Sequence, residues 1–201
     1  IANLVEPEYQ KKMNKRIQSR LRAAHLRGCP QELSNCIDSA EREYLPRGIT
    51  ETLTTLDFID SGLNVCILGP SDSGKSYLAK ALGIVACNNY KVEYHHCETL
   101  LETLVALKAQ DYSKYQKRLK KICGAALLIL DDFLLHTITD EREVKVLFEI
   151  LEKRCEINLS TIICSQREPA SWSSMILNDE VSANAILKRA TKHYTVVIKP
   201  L

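Results

Sequence analysis

No stretch of this chain is apolar for long enough to cross a bilayer. The longest apolar run, Ala125–Leu130, falls far short of the roughly 20 residues that a membrane helix needs, so no membrane partner is expected. No C-x-x-C pair occurs among the eight cysteines, which takes away the spacing that paired thiols use. There is no internal repeat, no low-complexity tract and no signal-peptide pattern at the start, and the default expectation is a cytoplasmic location. The chain starts at Ile1 instead of Met, which leaves a preceding segment open. Net charge is small, at +2, and excludes neither an acidic nor a basic partner by itself. What remains is a chain of 201 residues, 45% hydrophobic and 26% charged, long enough for one substantial core and cramped for two.

Against that background one stretch is specific. Asn64–Gly83 reads NVCILGPSDSGKSYLAKALG, in which Gly69, Gly74, Lys75 and Ser76 satisfy G-x-x-x-x-G-K-[ST]. Val65, Ile67 and Leu68 form a short apolar strand before the loop, and Leu78, Ala81, Leu82 and Val85 recur at helical spacing after it. The motif therefore has the strand–loop–helix context it requires. Gly69, Pro70, Ser71, Asp72, Ser73, Gly74, Lys75, Ser76 and Tyr77 are expected to wrap the phosphates of a nucleoside triphosphate. Lys75 would reach the β- and γ-phosphates, and the Ser76 hydroxyl would hold Mg²⁺.

A second apolar strand, Ala126–Leu130, ends in Asp131 and Asp132, a Walker-B pattern. Ligand sites of α/β folds gather at such strand ends. Asp131 is expected to orient Mg²⁺, and Asp132 to act as general base or water-positioning carboxylate. The same Asp-Asp pair is also ordinary turn chemistry. A third strand, Thr161–Ser165, ends in Gln166, whose amide can bond both an attacking water and a phosphate oxygen. His95-His96-Cys97-Glu98 has metal-ligand residue types, but adjacent side chains on a strand point to opposite faces. A nucleotide-binding intracellular fold suits reduced, mostly buried thiols rather than disulfides.

Charge is unevenly spread. Between Gln10 and Gly28 lie Lys11, Lys12, Lys15, Arg16, Arg20, Arg22 and Arg27 with no acidic residue, while Met13, Ile17, Leu21 and Ala24 keep helical spacing. A second cluster, YSKYQKRLKKI, holds Lys114, Lys117, Arg118, Lys120 and Lys121. Each alone reads as a solvated helix face; two beside a nucleotide site point to a polyanion, most simply nucleic acid, with Lys11, Lys12, Lys15, Arg16 and Arg20 as candidate contacts. The Pro/Gly punctuation at Tyr44–Gly48 divides a basic helical segment, 1–44, from a nucleotide-binding domain, 45–201. Within the latter, Thr50–Asp60 reads as a helix, Lys91–His95 as a strand, and Val144, Leu147, Phe148, Leu151 and Cys155 as an amphipathic helix. Ala183–Ala190 reads as a further helix and Tyr194–Ile198 as a last strand. The alternation predicts an α/β fold with a parallel sheet covered on both faces.

The order of these parts, with "STIICSQREPASW…DEVSANAILKRA" carrying the specific signal, resembles the IstB-like ATP-binding proteins. They are AAA+ P-loop proteins close to the DnaC-type helicase loaders. The resemblance runs from about Tyr44 to Ile198 and implies a five-stranded parallel sheet in a three-layer sandwich without a C-terminal helical lid. In that sheet the Gln166 strand separates the Walker-A and Walker-B strands. It also implies that Gln166 takes the sensor-1 position and that Arg189 acts as a finger on a neighbouring subunit's ATP. Ala183, Ile186, Leu187 and Ala190 would form the apolar stripe of that last helix, with Arg189 off it and free to face outward. The sequence departs from the family pattern in having Asp132 where many AAA+ enzymes carry Glu, Leu134 where Gly is common, and Lys188 where Asp is common. The implied function is an ATPase, slow and stimulated by DNA or a partner, that forms a homo-oligomer on DNA with ATP and serves a transposase. The alternatives are a loader for a replicative helicase and an ATP-gated DNA-binding module that hardly hydrolyses.

Overall fold

A computed structural model describes residues 2–176 and 180–201, apart from the side chains at 2–7, 180, 182 and 187. In chain order the elements are α1 (Ala2–Ala23), β1 (Arg42–Leu45), α2 (Ile49–Thr54), α3 (Asp57–Asp60), β2 (Val65–Leu68) and α4 (Lys75–Ala86). They continue with β3 (Val92–His96), α5 (Cys97–Gln110), α6 (Tyr112–Cys123), β4 (Leu127–Asp131), α7 (Glu141–Glu156), β5 (Ser160–Ser165), α8 (Glu180–Ala190) and β6 (Tyr194–Pro200). Among these, no helix is long and apolar enough to cross a membrane.

The strands β2, β4 and β5 are buried along their whole length, so they can only lie inside a sheet covered on both faces. Period-two alternation divides their side chains between two cores. Leu68, Leu128, Leu130 and Ile163 pack with Leu104, Tyr115, Leu119, Leu147 and Trp172, from α5, α6, α7 and the segment after β5. Ile67, Ile129, Ile162 and Cys164 face the other way, against Leu78 and Leu82 of α4 and Leu53 of α2. The result is helix, sheet and helix in three layers.

The sheet has six strands in the order β1-β6-β2-β5-β4-β3. β5 lies between β2 and β4, so the Gln166 strand does separate the Walker strands. The count differs from the five parallel strands expected: β1 adds an antiparallel edge, pairing Arg42 with Pro200 and Leu45 with Val197. A short segment with one buried residue has no alternation to betray it, and its partner lies at the far end of the chain. The helix expected over Thr50–Asp60 is broken into α2 and α3 by Leu56, whose φ of 63° cannot continue a helix.

One buried charge organises the end of the sheet where β4 and β5 begin. Arg154 of α7 donates to the carbonyls of Ile122 (3.1 Å), Cys123 (3.0 Å), Ala125 (2.8 Å) and Ser160, and to Thr161 Oγ1 (3.0 Å). It thereby satisfies the last carbonyls of α6 and ties two strand entrances together. Burial lowers its pKa to about 10, which leaves it charged at neutral pH. All eight cysteines are free thiols, with Cys155 exposed and Cys36, Cys66, Cys87, Cys97, Cys123 and Cys164 buried.

Candidate functional site

The loop between β2 and α4 turns tightly because two of its residues lack a side chain. A Cβ at Gly69 would lie 2.6 Å from both the Ile198 carbonyl and Ser73 Oγ. Gly74, at φ 100°, occupies the left-handed region that favours glycine. α4 then starts with no side-chain cap and no acidic residue in its first turn. Its free N–H groups and the positive end of its dipole face the loop, an arrangement that suits an anion.

Lys75 is buried, and its Nζ donates to the Pro70 carbonyl at 2.6 Å, arching over the loop. Burial pulls its pKa below that of an ordinary lysine, while the Cys164, Asp131, Asp132 and Asp72 side chains oppose the shift. Ser73 Oγ is buried at the same loop and has no hydrogen-bond partner among the described residues. Ser76 Oγ donates to Asp131 Oδ1 at 3.0 Å, joining the phosphate loop to the end of β4. The other carboxylate oxygen accepts the Tyr94 hydroxyl at 2.5 Å, and Asp131 itself is almost fully buried. Burial, then that bond, raises the Tyr94 pKa, so the phenol stays protonated and remains a donor.

Asp132, the residue after β4, adopts φ 54°. There its Oδ2 meets His96 Nδ1 at 3.0 Å. His96, Asp131 and Asp132 hold ligand atoms within 4.8 Å of one another. Hydroxyl and carboxylate oxygens so placed fit a hard divalent cation such as Mg²⁺. His96 belongs to the HHCE run set aside above as a ligand set, and it reaches this site without its sequence neighbours. Its neighbour His95 bonds Glu93 instead (2.9 Å), as opposite faces of a strand require, so HHCE does not gather as a ligand set. The findable signal was register: His96 pairs with Asp131 across β3 and β4.

Gln166 leaves the end of β5 exposed, beside the phosphate loop's strand. The segment after it is held by Ser165 Oγ, which donates to Phe133 O (2.8 Å) and accepts the Arg167 N–H (3.1 Å). The lone tryptophan serves the same end: Trp172 Nε1 donates to Arg167 O (3.0 Å) and its ring packs 4.8 Å from Phe133.

Arg189 stands apart from all of these. Asn64, which precedes β2, donates to the Arg189 carbonyl at 2.5 Å, so Arg189 lies at the opposite end of the sheet from the loop. β2 has 4 residues, at roughly 3.3 Å each, which puts about 13 Å of strand between the two. The expectation that it faces freely outward is corrected. Its guanidinium donates to Ala185 O (2.9 Å), pairs with Glu152 (3.3 Å) and lies 4.8 Å over the Phe148 ring. Of the expected stripe, Ala183, Ile186 and Ala190 are buried, and the Leu187 side chain lies outside the described residues.

On α1, Lys11, Lys12, Lys15 and Arg16 are exposed. Lys11, Lys15 and Arg22 line one cavity of about 480 Å³. Arg20 is used differently: its Nη1 donates to Cys87 O (3.2 Å) and Asn88 O (2.5 Å), capping the C-terminus of α4. The two basic clusters of the sequence meet in space, because Arg20, Lys91, Lys120 and Lys121 border a groove of about 500 Å³ between α1 and α6. Lys121 of the groove and Arg118 outside it neutralise the buried Glu93 (2.7 and 3.4 Å).

Comparison with known proteins agrees with this geometry. The chain is 39% identical over 190 residues to the Sinorhizobium fredii protein y4uH, named as an ATP-binding protein of an insertion sequence, covering 94% of this chain and 74% of that one. It is 28% identical to the ATP-binding protein named for insertion sequence IS21 in Pseudomonas aeruginosa, over 98% and 79% of the two chains. Among solved structures, a DnaC helicase loader superposes with a TM-score of 0.65 at 19% identity, covering 85% of this chain and 98% of that one. The replication initiator DnaA bound to AMPPCP and single-stranded DNA superposes at 0.68 with 21% identity, over 86% of this chain and 50% of that one. Those two share the P-loop α/β fold, and this chain spans about half of the DnaA structure. The model of the IstB-like ATP binding protein family matches residues 1–199, and the chain belongs to that family.

Proposed function

We propose that this protein is an ATPase that assembles on DNA in the presence of ATP and serves a transposase. The observation that carries the reading is the Ser76–Asp131 hydrogen bond. It joins Ser76 at the start of α4 to Asp131 at the end of β4 and so supports one shared site. The insertion-sequence names of the curated relatives favour a transposase as the partner over a replicative helicase, to which only the likeness of fold points.

Lys75 exchanges the Pro70 carbonyl for phosphate oxygens, and the α4 N–H groups close around them. Ser76 and Asp131 would hold Mg²⁺, which would supply positive charge against that developing on the phosphates. Asp131 is kept in place for this by the Tyr94 hydroxyl. Asp132 accepts the proton of the attacking water once it leaves His96, and Gln166 orients that water from the end of β5. Arg189 cannot serve its own site, lying at the other end of the sheet. It serves the site of a neighbouring copy, after leaving Glu152. The exposed cations of α1 and those bordering the α1–α6 groove contact DNA phosphates, with Arg20 kept for α4.

The test mixes two variants that are inactive alone, Lys75→Ala and Arg189→Ala. Mixed assemblies contain interfaces that pair an intact Lys75 site with an intact Arg189, so activity returns on mixing. Flat activity at all ratios, with co-assembly confirmed, rejects a shared site. Glu152→Gln, which only frees Arg189, keeps activity and separates the finger role from packing of α8. For DNA, neutralising Lys11, Lys12 and Lys15 together flattens the log affinity against log salt slope by about two to three, whereas an unchanged slope removes α1 from the interface.

A further inference from the structure

Arg42 opens the edge strand β1, opposite Pro200. β6 runs parallel to β2 with Val197 beside Leu68, so Pro200 stands at the end of the sheet where the phosphate loop begins. The Arg42 side chain reaches that loop: a Cβ built on Gly74 would lie 2.6 Å from its Nη1. The guanidinium therefore rests on the residue that precedes the uncapped N–H groups of α4.

Arg42 is half-buried, and its charge faces the Cys36 thiol and the Tyr44 phenol. No carboxylate lies within ion-pair distance of it among the described residues. A neutral group nearby is short of partners too: Ser73 Oγ, in the loop itself, is buried without a hydrogen bond among the described residues. A guanidinium drawn out of water with no counter-ion is costly, and structures keep such groups where a ligand supplies the missing charge.

We propose that Arg42 is a nucleotide-binding residue whose guanidinium is the counter-ion for the terminal phosphates. This rests on the reading of the loop as an ATP site. Charge-assisted, forked bonds from an arginine suit phosphate oxygens better than any neutral group present. The segment before β1 is already fastened to the same helix, because Tyr77 OH accepts the Glu32 N–H (3.2 Å) and Asn35 Nδ2 (3.0 Å). Nucleotide thus joins the edge strand and the arm behind it to the phosphate loop by a second, ionic link.

The experiment titrates a fluorescent ATP analogue and competes it with inorganic tripolyphosphate, for the wild type, Arg42→Gln, Arg42→Lys and Lys75→Ala. Arg42→Gln loses about tenfold or more in affinity for both ligands, while Arg42→Lys, which keeps the charge but not the fork, loses less than Arg42→Gln. Unchanged affinity in Arg42→Gln, with Lys75→Ala collapsing, overturns the assignment of Arg42 and leaves the site intact. A loss for the ATP analogue alone also overturns it, because Arg42 would then act on base or ribose. Normal binding by Lys75→Ala instead rejects the phosphate-loop reading beneath it.

Discussion

At one end of the sheet Arg154 makes five hydrogen bonds, all to acceptors of its own chain. At the other end, among the described residues, Lys75 has one carbonyl, Arg42 has no carboxylate within ion-pair distance, and Ser73 Oγ has no partner. Both ends bury cationic side chains, yet only one completes their bonding. A charge that the chain satisfies itself holds the fold together. One left short of acceptors marks where something else must supply them. Asp131 lies between these extremes: Ser76, Tyr94 and the Asp132 N–H occupy its oxygens, which fixes its orientation without a countercharge in contact.

That contrast can be broken in order of effect. Asp132→Asn should slow hydrolysis by about 10²–10⁴-fold while ATP and Mg²⁺ still bind, because the carboxylate acts on water and leaves the loop intact. Equal behaviour of Asp131→Asn and Asp132→Asn in binding and turnover assays would erase the division of labour between them. Arg154→Met, at the satisfied end, should lower unfolding stability by about 3–5 kcal/mol, since four carbonyls lose a buried charged donor. Its ATP affinity, measured where it is folded, should not change, and a specific loss of affinity would mean that the two ends are not separate. Ser73→Ala should shift stability by under about 0.5 kcal/mol, there being no bond to lose, yet weaken ATP a few-fold. A marked drop in melting temperature without nucleotide would show that its hydroxyl is already partnered.

The open end was the legible one. A phosphate loop is a contiguous pattern whose chemistry depends on residues next to one another, so Gly69–Ser76 could be read without a fold. Asp131 and Asp132 follow from an apolar run that ends in acids. Residues whose roles depend on distant partners were not legible. Arg20 has the composition of a DNA contact and caps α4 because Cys87 and Asn88 happen to lie beneath it. His96 gains its place through strand pairing with β4, and Arg42 through an antiparallel edge formed with the other end of the chain. Leu56 carries no residue-type signal for the left-handed turn that splits α2 from α3.

The most direct test of the central claim, that the unsatisfied end of the sheet awaits a nucleotide, is thermal unfolding with and without MgATP in the wild type and Lys75→Ala. At about 100 times the dissociation constant, ATP should stabilise the wild type by roughly 2.7 kcal/mol and raise its melting temperature accordingly. Lys75→Ala should melt close to the nucleotide-free wild type and gain nothing from ATP. A wild type that ATP does not stabilise, or a Lys75→Ala protein stabilised as much as the wild type, would contradict the account.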